Sequence, residues 1–246
     1  MDIAQTMQQF IEHAIPEAHG IVYVYELSTF ISDKSIERTF GVFVKIDDDW
    51  AMIFSFYATE HFDGYVHLEL VDSLQFFKAI NRTNLYHTVL LAYFYTCGCR
   101  GLSMMYFQSC PPGENSSYIF HDKPADQKQL SSERLLSWYH KLLMKGFERG
   151  IFSEGSNFVG SRVEEIPDCL VDPEHRNESL DKATYFRVTL CKPSVIQETK
   201  LQNFDTAFYS PDEFKAICVQ NNVSFSTLDS AKSATRLIIN SLGLKL

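Results

Sequence analysis

Two arginines, each next to the predicted start of a helix, are the first candidates for chemistry in this sequence. Arg82 and Thr83 precede apolar residues at three-and-four spacing, and Arg134 follows a helix cap predicted at Ser131-Ser132. The first turn of a helix has unpaired N–H groups and a partial positive charge, so with an adjacent guanidinium it can hold a pyrophosphate. Spacing alone favours a simpler alternative, in which Thr83 or Asn84 caps the helix and Arg82 lies in water.

A second pair of residues combines charge with a flat ring. Arg134 and Trp138 are four positions apart, so both lie on one face of a helix and can touch one ligand. A guanidinium and an indole together suit a phosphorylated nucleotide with an apolar arm. The alternative is an interfacial tryptophan beside a surface arginine. Tyr139 also falls on the apolar stripe of this helix, so its hydroxyl could belong to a core tyrosine that needs a partner.

The elements that must position these residues begin with a run of strands. Four consecutive segments are rich in β-branched and aromatic residues and are separated by Asp and Gly breaks, which predicts a meander or consecutive hairpins. The segments cover residues 21–30, 39–46, 51–61 and 64–71. The last one leads Asp72 and Ser73 into the loop before Arg82. Residues 102–109 and 185–190 are predicted as further strands.

Apolar residues at helical spacing predict the helices. The predicted helices cover residues 3–14, 83–98, 132–150 and 227–242, and another begins near Pro211. Gly98 is expected to end the second of these helices through a left-handed residue, and Gly150 to end the third. Sheet and helix segments are therefore interleaved along the chain.

Composition sets the limits on the class of protein. The chain has 246 residues, of which 45% are hydrophobic, and it contains no repeats or low-complexity linkers, so we expect one domain over residues 1–246. The longest apolar run, residues 89–99, is shorter than the roughly 20 residues that span a bilayer, so no membrane partner is expected. Six cysteines have no spacing that would hold zinc, and no metal is predicted.

The charges are segregated along the chain. Residues 1–72 contain 13 acidic and 3 basic side chains, a balance of −10, whereas residues 73–145 contain 4 acidic and 8 basic ones, a balance of +4. An acidic surface attracts a basic partner, and a basic strip attracts a phosphorylated ligand. Because no basic stripe dominates the chain, direct binding of nucleic acid is not expected.

Several short motifs occur in one fixed order across residues 72–139. They are Asp72-Ser73-Leu74-Gln75-Phe76-Phe77, Arg82-Thr83, Tyr86-His87, Cys110-Pro111-Pro112, Tyr118-Ile119-Phe120-His121, Asp126-Gln127-Lys128, Arg134-Leu135 and Trp138-Tyr139. In order and spacing these motifs resemble the acetyltransferase domain of the CREB-binding protein family. Weaker similarity extends over residues 10–40 and 222–242, so the resemblance spans nearly the whole chain.

The resemblance implies an α+β fold, with a central mixed β-sheet ringed by helices. It implies acetyl-CoA as cosubstrate, lysines of histone tails and of other lysine-rich proteins as acceptors, and a nuclear transcriptional coactivator for which transcription factors are possible partners. By position, the residues implied to bind the cofactor are Val71, Asp72, Ser73, Arg82, Thr83, Gln129, Arg134 and Trp138. Tyr139 is implied to be the general acid that protonates the departing sulfur.

Two residues depart from the family pattern. The family has a tryptophan lining the lysine tunnel where this chain has Gln108, and an aliphatic cofactor contact where it has Gln129. The lysine-rich loop that family members use for autoacetylation is also missing, and the chain is expected to be a short relative without their bromodomain and zinc modules. The alternative hypothesis is therefore a catalytically weak relative that binds acetyl-CoA or competes for partners.

Overall fold

Four long antiparallel strands form the amino-terminal half of the sheet, as the sequence pattern predicted. The computed structural model describes residues 2–109, 119–128, 130–153, 184–191 and 211–246. The strands are β1 (Val22–Ile31), β2 (Ser35–Ile46), β3 (Asp49–His61) and β4 (Tyr65–Ser73). They pair in sequence order, each antiparallel to the one before it. Left-handed residues at Asp47 (φ 59°) and Gly64 (φ 89°) form two of the turns, because a tight reversal needs positive φ.

β2 starts four residues before its predicted start. The prediction missed these residues because charged side chains are unusual in a buried strand. Arg38 is only 3% exposed, although an arginine normally points into water. Its Nη1 lies 2.6 Å from a carboxylate oxygen of Glu26, and its Nε lies 2.9 Å from one of Glu60. Arg100 completes the buried network with two 2.6 Å hydrogen bonds to Glu60. Part of the amino-terminal acidity is therefore neutralised inside the fold and is unavailable to a partner.

The remaining two strands make the sheet mixed. After β4 the chain forms helix α2 (Arg82–Cys99) and returns as β5 (Met104–Ser109), parallel to β4; β6 (Thr184–Thr189) pairs antiparallel with β5. A parallel pair needs a crossover connection, and α2 provides it. The predicted mixed α+β architecture is confirmed.

Helices cover both faces of the sheet. The main core lies on the face covered by α1 (Ile3–Ala14), α2 and α3 (Ser132–Glu148). A second core lies on the other face, beneath α4 (Pro211–Gln220), α5 (Leu228–Leu242) and residues 119–120. α2 is buried on every side between Leu85 and Phe94, rather than along one stripe as predicted, because α1 packs against it and Tyr93 packs on Phe40 and Phe56 of the sheet.

The carboxyl end of α2 differs from the prediction. Gly98 was expected to terminate the helix in a left-handed conformation, but α2 continues to Cys99 and the left-handed residue is Gly101 (φ 93°). Gly98 is needed for a different reason. A Cβ at this position would clash with the backbone carbonyl of Cys191, so the glycine allows close packing of α2 against the chain that follows β6.

Within the described ranges, no helix is both long and apolar enough to cross a bilayer. Across the same ranges, no three His, Cys, Asp or Glu side chains are grouped in a way that could hold a metal ion. The motif residues Cys110, Pro111, Pro112 and Tyr118, and the predicted cofactor contact Gln129, lie outside the described residues.

Candidate functional site

The two parallel strands separate at their carboxyl ends. β4 and β5 share pairs only from Tyr65 with Met104 to Leu68 with Phe107. Beyond that pair β4 continues to Ser73 beside β3 alone, and β5 continues to Ser109 beside β6 alone, as far as the described strands show. The facing edge of β4 past Leu68 therefore has peptide groups without a strand partner. Such an edge can accept an extended ligand that carries amide groups.

A β-bulge at Glu69 accompanies this separation. Ala58 of β3 pairs with Leu68 and the preceding residue, Tyr57, pairs with Leu70, so Glu69 is an extra residue in β4. A bulge bends its strand and changes which way the following side chains point. Accordingly Leu70 packs against the second core, whereas Val71 packs against the main core.

Asp72 is buried and binds a later segment of the same chain. Its Oδ2 accepts hydrogen bonds from the backbone N–H groups of Ile119 (2.9 Å) and Phe120 (3.0 Å). Its Oδ1 accepts the N–H of Ser73 at 2.8 Å and is ion-paired with Lys123. The carboxylate, which is 6% exposed as a residue, is thus committed to protein groups. Its contribution to a ligand site is to hold residues 119–123 against the end of β4.

Ser73 extends the same arrangement. Its backbone carbonyl accepts a hydrogen bond from the side-chain amide of Gln127 at 2.8 Å. The stretch 119–128 therefore lies across the end of β4 and leads towards α3. No structural role could be assigned to the Asp-Gln-Lys motif at 126–128 from the sequence. Its glutamine makes this contact and so anchors the segment to the end of β4.

The start of α2 presents Arg82 and Thr83 beside this strand end. The helix cap is Asn81, whose side-chain oxygen accepts the N–H of Asn84 at 3.0 Å, and neither Thr83 nor Asn84 has this role. Arg82 is half-buried and Thr83 is exposed, so both remain accessible to a ligand. Tyr86, one turn later, donates its hydroxyl hydrogen to the carbonyl of Leu74 at 3.0 Å and fastens α2 to the chain that follows β4.

Arg134 and Trp138 lie along the first half of α3. Of the predicted pair Ser131-Ser132, Ser131 is the helix cap, and its hydroxyl accepts the N–H of Arg134 at 3.4 Å. Ser132 is the first helical residue. Arg134 is exposed, whereas Trp138 is half-buried. Further along α3, the Lys145 ammonium donates to the side-chain oxygen of Asn84 at 3.0 Å, which ties α3 to the first turn of α2.

Tyr139 lies in the main core, with 6% exposure. Its ring centroid is 4.9 Å from that of Phe107 and 5.1 Å from that of Trp138, with Trp138 edge-on at 86°. Neighbouring side chains of a strand point to opposite faces, so Phe107 points towards Tyr139 and Gln108 points away from it. Tyr139 and Gln108 therefore approach the separated strands from opposite faces of the sheet.

His87 is a residue that the sequence argument quoted but left without a role. Its ring is fully buried and lies 4.5 Å from the Trp138 ring, with a tilt of 58°. Neither ring nitrogen makes a hydrogen bond within the described structure. Burial, followed by the charge of Lys145, lowers the pKa of His87 to about 4, although the nearby Trp138 backbone opposes this shift. The imidazole is therefore neutral at pH 7.

Part of this chain is similar in sequence to known proteins. Residues 58–165 match the family model of the histone acetyltransferase domain KAT3. Protein cbp-1 of Caenorhabditis elegans is 40% identical over 86 residues, which are 35% of this chain and 4% of that protein. Histone acetyltransferase HAC12 of Arabidopsis thaliana is 32% identical over 112 residues, 42% of this chain and 7% of that protein.

A longer match has lower identity. Histone acetyltransferase HAC4 of Arabidopsis thaliana is 25% identical over 179 residues, 68% of this chain and 12% of that protein. The chain therefore spans only a small part of the relatives it matches. The resemblance to the acetyltransferase domain of the CREB-binding protein family is confirmed, and the chain is related to the KAT3 histone acetyltransferases.

Proposed function

We propose that this chain is a protein lysine acetyltransferase that transfers acetyl from acetyl-CoA to lysines of histone tails in the nucleus, as a transcriptional coactivator. The observation that carries the proposal is the opening between β4 and β5, around which the predicted residues from β4, α2 and α3 are arranged. The KAT3 match over residues 58–165 contains all of these elements.

The protein groups around the opening suit the parts of coenzyme A. The unpaired edge of β4 near Val71 offers peptide groups to an amide-containing arm, and the Trp138 ring offers it an apolar surface. Arg82, in the first turn of α2, and Arg134, in the first turn of α3, can each pair with phosphate oxygens. Acetyl-CoA supplies an acetyl thioester whose sulfur is the leaving group.

The chemistry requires two proton movements. A lysine amine has an ordinary pKa of about 10.4, so its deprotonation costs roughly 4 kcal/mol near neutral pH, and the departing sulfur must gain a proton. Tyr139 is the proposed donor of that proton, because it is a phenol on the main-core side of the separated strands and next to Trp138. The ring contacts with Phe107 and Trp138 restrict its orientation.

A specific observation supports a second candidate function, a module that binds acetyl-CoA without efficient transfer. Gln108 is half-buried at the opening and is flexible and polar where the resembled family has a rigid aromatic wall. A loosely aligned lysine reacts slowly even when the cofactor is bound normally, since misplacement by about 1 Å can cost on the order of 100-fold.

One assay separates these functions. Transfer of labelled acetyl from acetyl-CoA to histone tail peptides is measured for the wild type and for Tyr139→Phe, with Tyr23→Phe as a matched control on β1. We expect transfer by the wild type and by Tyr23→Phe, and a loss on the order of 100-fold in kcat for Tyr139→Phe with unchanged acetyl-CoA affinity. A wild-type protein that binds acetyl-CoA but transfers nothing would leave only the binding module.

Cofactor binding has its own test. Arg82→Ala and Arg134→Ala each remove a proposed phosphate partner, so the Kd for acetyl-CoA should rise about 10-fold or more in calorimetry, because a charge-assisted hydrogen bond contributes about 1.5–3 kcal/mol. Arg236→Ala, on α5 at the other face of the sheet, is the matched control and should bind normally. Unchanged affinity in both site variants would contradict the assignment.

A further inference from the structure

A hydrogen bond and a ring contact join the start of α2 to α3. The Lys145 ammonium donates to the side-chain oxygen of Asn84 at 3.0 Å. Three residues further along α2, the His87 ring lies 4.5 Å from the Trp138 ring, with a tilt of 58°. Both α2 residues lie within two turns of Arg82, the first residue of the helix. The two contacts therefore hold α3 against the part of α2 that borders the candidate site.

The indole of Trp138 is held by two other rings. His87 packs against it at a tilt of 58°, and Tyr139 meets it edge-on at 86° with ring centroids 5.1 Å apart. Contacts at two such different angles restrict rotation about both side-chain torsions of the tryptophan. Trp138 is nevertheless half-buried, so part of the indole remains open to a ligand. The orientation of that open part depends on His87 as well as on Tyr139.

His87 cannot contact a ligand itself, because its side chain is fully buried. Since the imidazole is neutral at pH 7, it packs against the indole as a flat, uncharged ring. The Tyr86-His87 motif contributes to the resemblance described above, but so far only Tyr86 has a contact near the site, its hydrogen bond to Leu74. Any effect of His87 on a bound ligand must therefore pass through the position of Trp138.

We propose that His87 is a positioning residue of the acetyl-CoA site, which orients the Trp138 indole from within the protein; this inference rests on the acetyltransferase function proposed above. The imidazole fills the space between the second turn of α2 and the indole, so that Trp138 presents a fixed apolar surface to the arm of the coenzyme. A side chain that is already ordered loses less freedom when the ligand binds, and the ligand is bound more tightly.

His87→Ala is the direct test, because it removes the ring and leaves the indole free to move. The Kd for acetyl-CoA, measured by calorimetry at pH 7, should rise by about 3- to 10-fold, the weakening expected when one side chain must be ordered on binding. The kcat at saturating acetyl-CoA should stay within about twofold of wild type, because Phe107 still holds the Tyr139 ring. His87→Phe restores a flat ring and should bind acetyl-CoA as the wild type does.

Tryptophan fluorescence reports the motion directly. Trp50 and Trp138 are the two tryptophans of the chain, so a Trp50→Phe background leaves Trp138 as the single fluorophore. Trp50 packs against the second core, on the other face of the sheet, so this background should bind acetyl-CoA normally. Time-resolved anisotropy should then show faster depolarisation for His87→Ala than for His87 or His87→Phe, because rotation of a loosened side chain occurs within nanoseconds.

Met52→Ala is the matched control for loss of a buried side chain. Met52 is fully buried in the second core, so its removal should lower stability without changing the affinity for acetyl-CoA. If His87→Ala binds acetyl-CoA as tightly as the wild type, or if Met52→Ala binds as weakly as His87→Ala, His87 does not position the cofactor site, whereas the acetyltransferase function stands. A wild type that does not bind acetyl-CoA would overturn the proposed function itself.

Discussion

The imidazole of His87 packs against the indole of Trp138, with ring centroids 4.5 Å apart. The contact joins the second turn of α2 to the middle of α3, and Trp138 in turn contacts Tyr139 edge-on at 5.1 Å. A continuous series of ring contacts therefore leads from α2 to the proposed general acid. His87, at the start of this series, is unusual for a core residue, because both of its ring nitrogens are buried without hydrogen bonds in the described structure.

His87 makes the stability of the fold depend on pH. Its pKa is about 4 in the folded protein, below the ordinary 6.5, so between these values the unfolded chain binds more protons. Stability is therefore complete above pH 6.5 and falls as the pH drops towards 4, by at most about 1.4 kcal/mol per unit. Replacement by Phe removes two unpaired polar atoms, so His87→Phe should be as stable as the wild type or more stable at pH 7, and less sensitive to acid.

Urea unfolding at pH 7 and pH 5 measures this difference. His13→Phe is a useful control, because His13 lies on α1, away from Trp138. Equal acid sensitivity of wild type and His87→Phe would show that the histidine titrates normally in the folded protein, which would contradict its burial.

Asp72→Asn should loosen the chain that follows β5. The change removes a charge that neutralises Lys123, and the new amide has one acceptor oxygen where the carboxylate has two in use. Loss of a buried charge from such a set costs about 3–5 kcal/mol, so the variant should unfold at lower urea concentration. Hydrogen exchange should rise most at the amides of Ile119 and Phe120. Asp33→Asn, in an exposed turn, is the control, and equal protection in both variants would argue against the anchoring role of Asp72.

Long periodic segments of this fold could be predicted from the sequence, whereas features set by distant contacts could not. The four amino-terminal strands and the helices were identifiable because each buries one face or both. The early start of β2 was hidden, since Arg38 resembles a surface residue until Glu26 and Glu60 are seen to surround it. The close packing at Gly98 could not be predicted either, because its neighbour Cys191 is more than 90 residues away in the chain.

The Glu60 network gives a prediction for acid stability. Burial opposes ionisation of Glu60, but hydrogen bonds and the charges of Arg100 and Arg38 outweigh it, so the pKa of this carboxyl is lowered. Its stabilising effect is present above the ordinary carboxyl pKa and is lost as the pH falls through the lowered value. Glu60→Gln leaves two buried guanidinium groups with too little negative charge, and should cost about 3–5 kcal/mol at pH 7 in urea unfolding. Glu17→Gln should cost nothing measurable.

Gly98→Ala tests the close packing of α2. Alanine favours a helix by about 1 kcal/mol over glycine, but here its Cβ would clash with the carbonyl of Cys191. The clash should dominate and lower the thermal midpoint by several degrees, since overpacking typically costs 1–3 kcal/mol. Thr83→Ala, at the exposed start of the same helix, should not destabilise the fold. If Gly98→Ala were more stable than the wild type, the backbone at Cys191 would have to move away from the new Cβ at little cost in free energy.

For the candidate site, the sequence predicted the helices and strands that carry the proposed residues, whereas the contacts of individual side chains depend on distant parts of the chain. Arg82 and Arg134 occupy first helical turns, as the hypothesis required. Asp72, in contrast, binds protein groups, a use that no spacing could indicate because Ile119 and Phe120 are 47 and 48 residues away. The bulge at Glu69 could be seen only from the register of β3 and β4, since a bulge changes the alternation that sequence patterns assume.

Gln108→Trp tests whether the departure at the opening limits turnover. Gln108 is half-buried on the face away from Tyr139, so an indole there should narrow the path of the lysine without contacting the proposed cofactor residue Trp138. We expect kcat/KM for a histone tail peptide to rise on the order of 10-fold, because better alignment lowers the barrier, while the Kd for acetyl-CoA stays within twofold of wild type. Gln108→Leu separates ring shape from apolarity and should give a smaller gain. If Gln108→Trp instead abolishes transfer while the fold and cofactor affinity persist, the transfer by this chain depends on the glutamine itself.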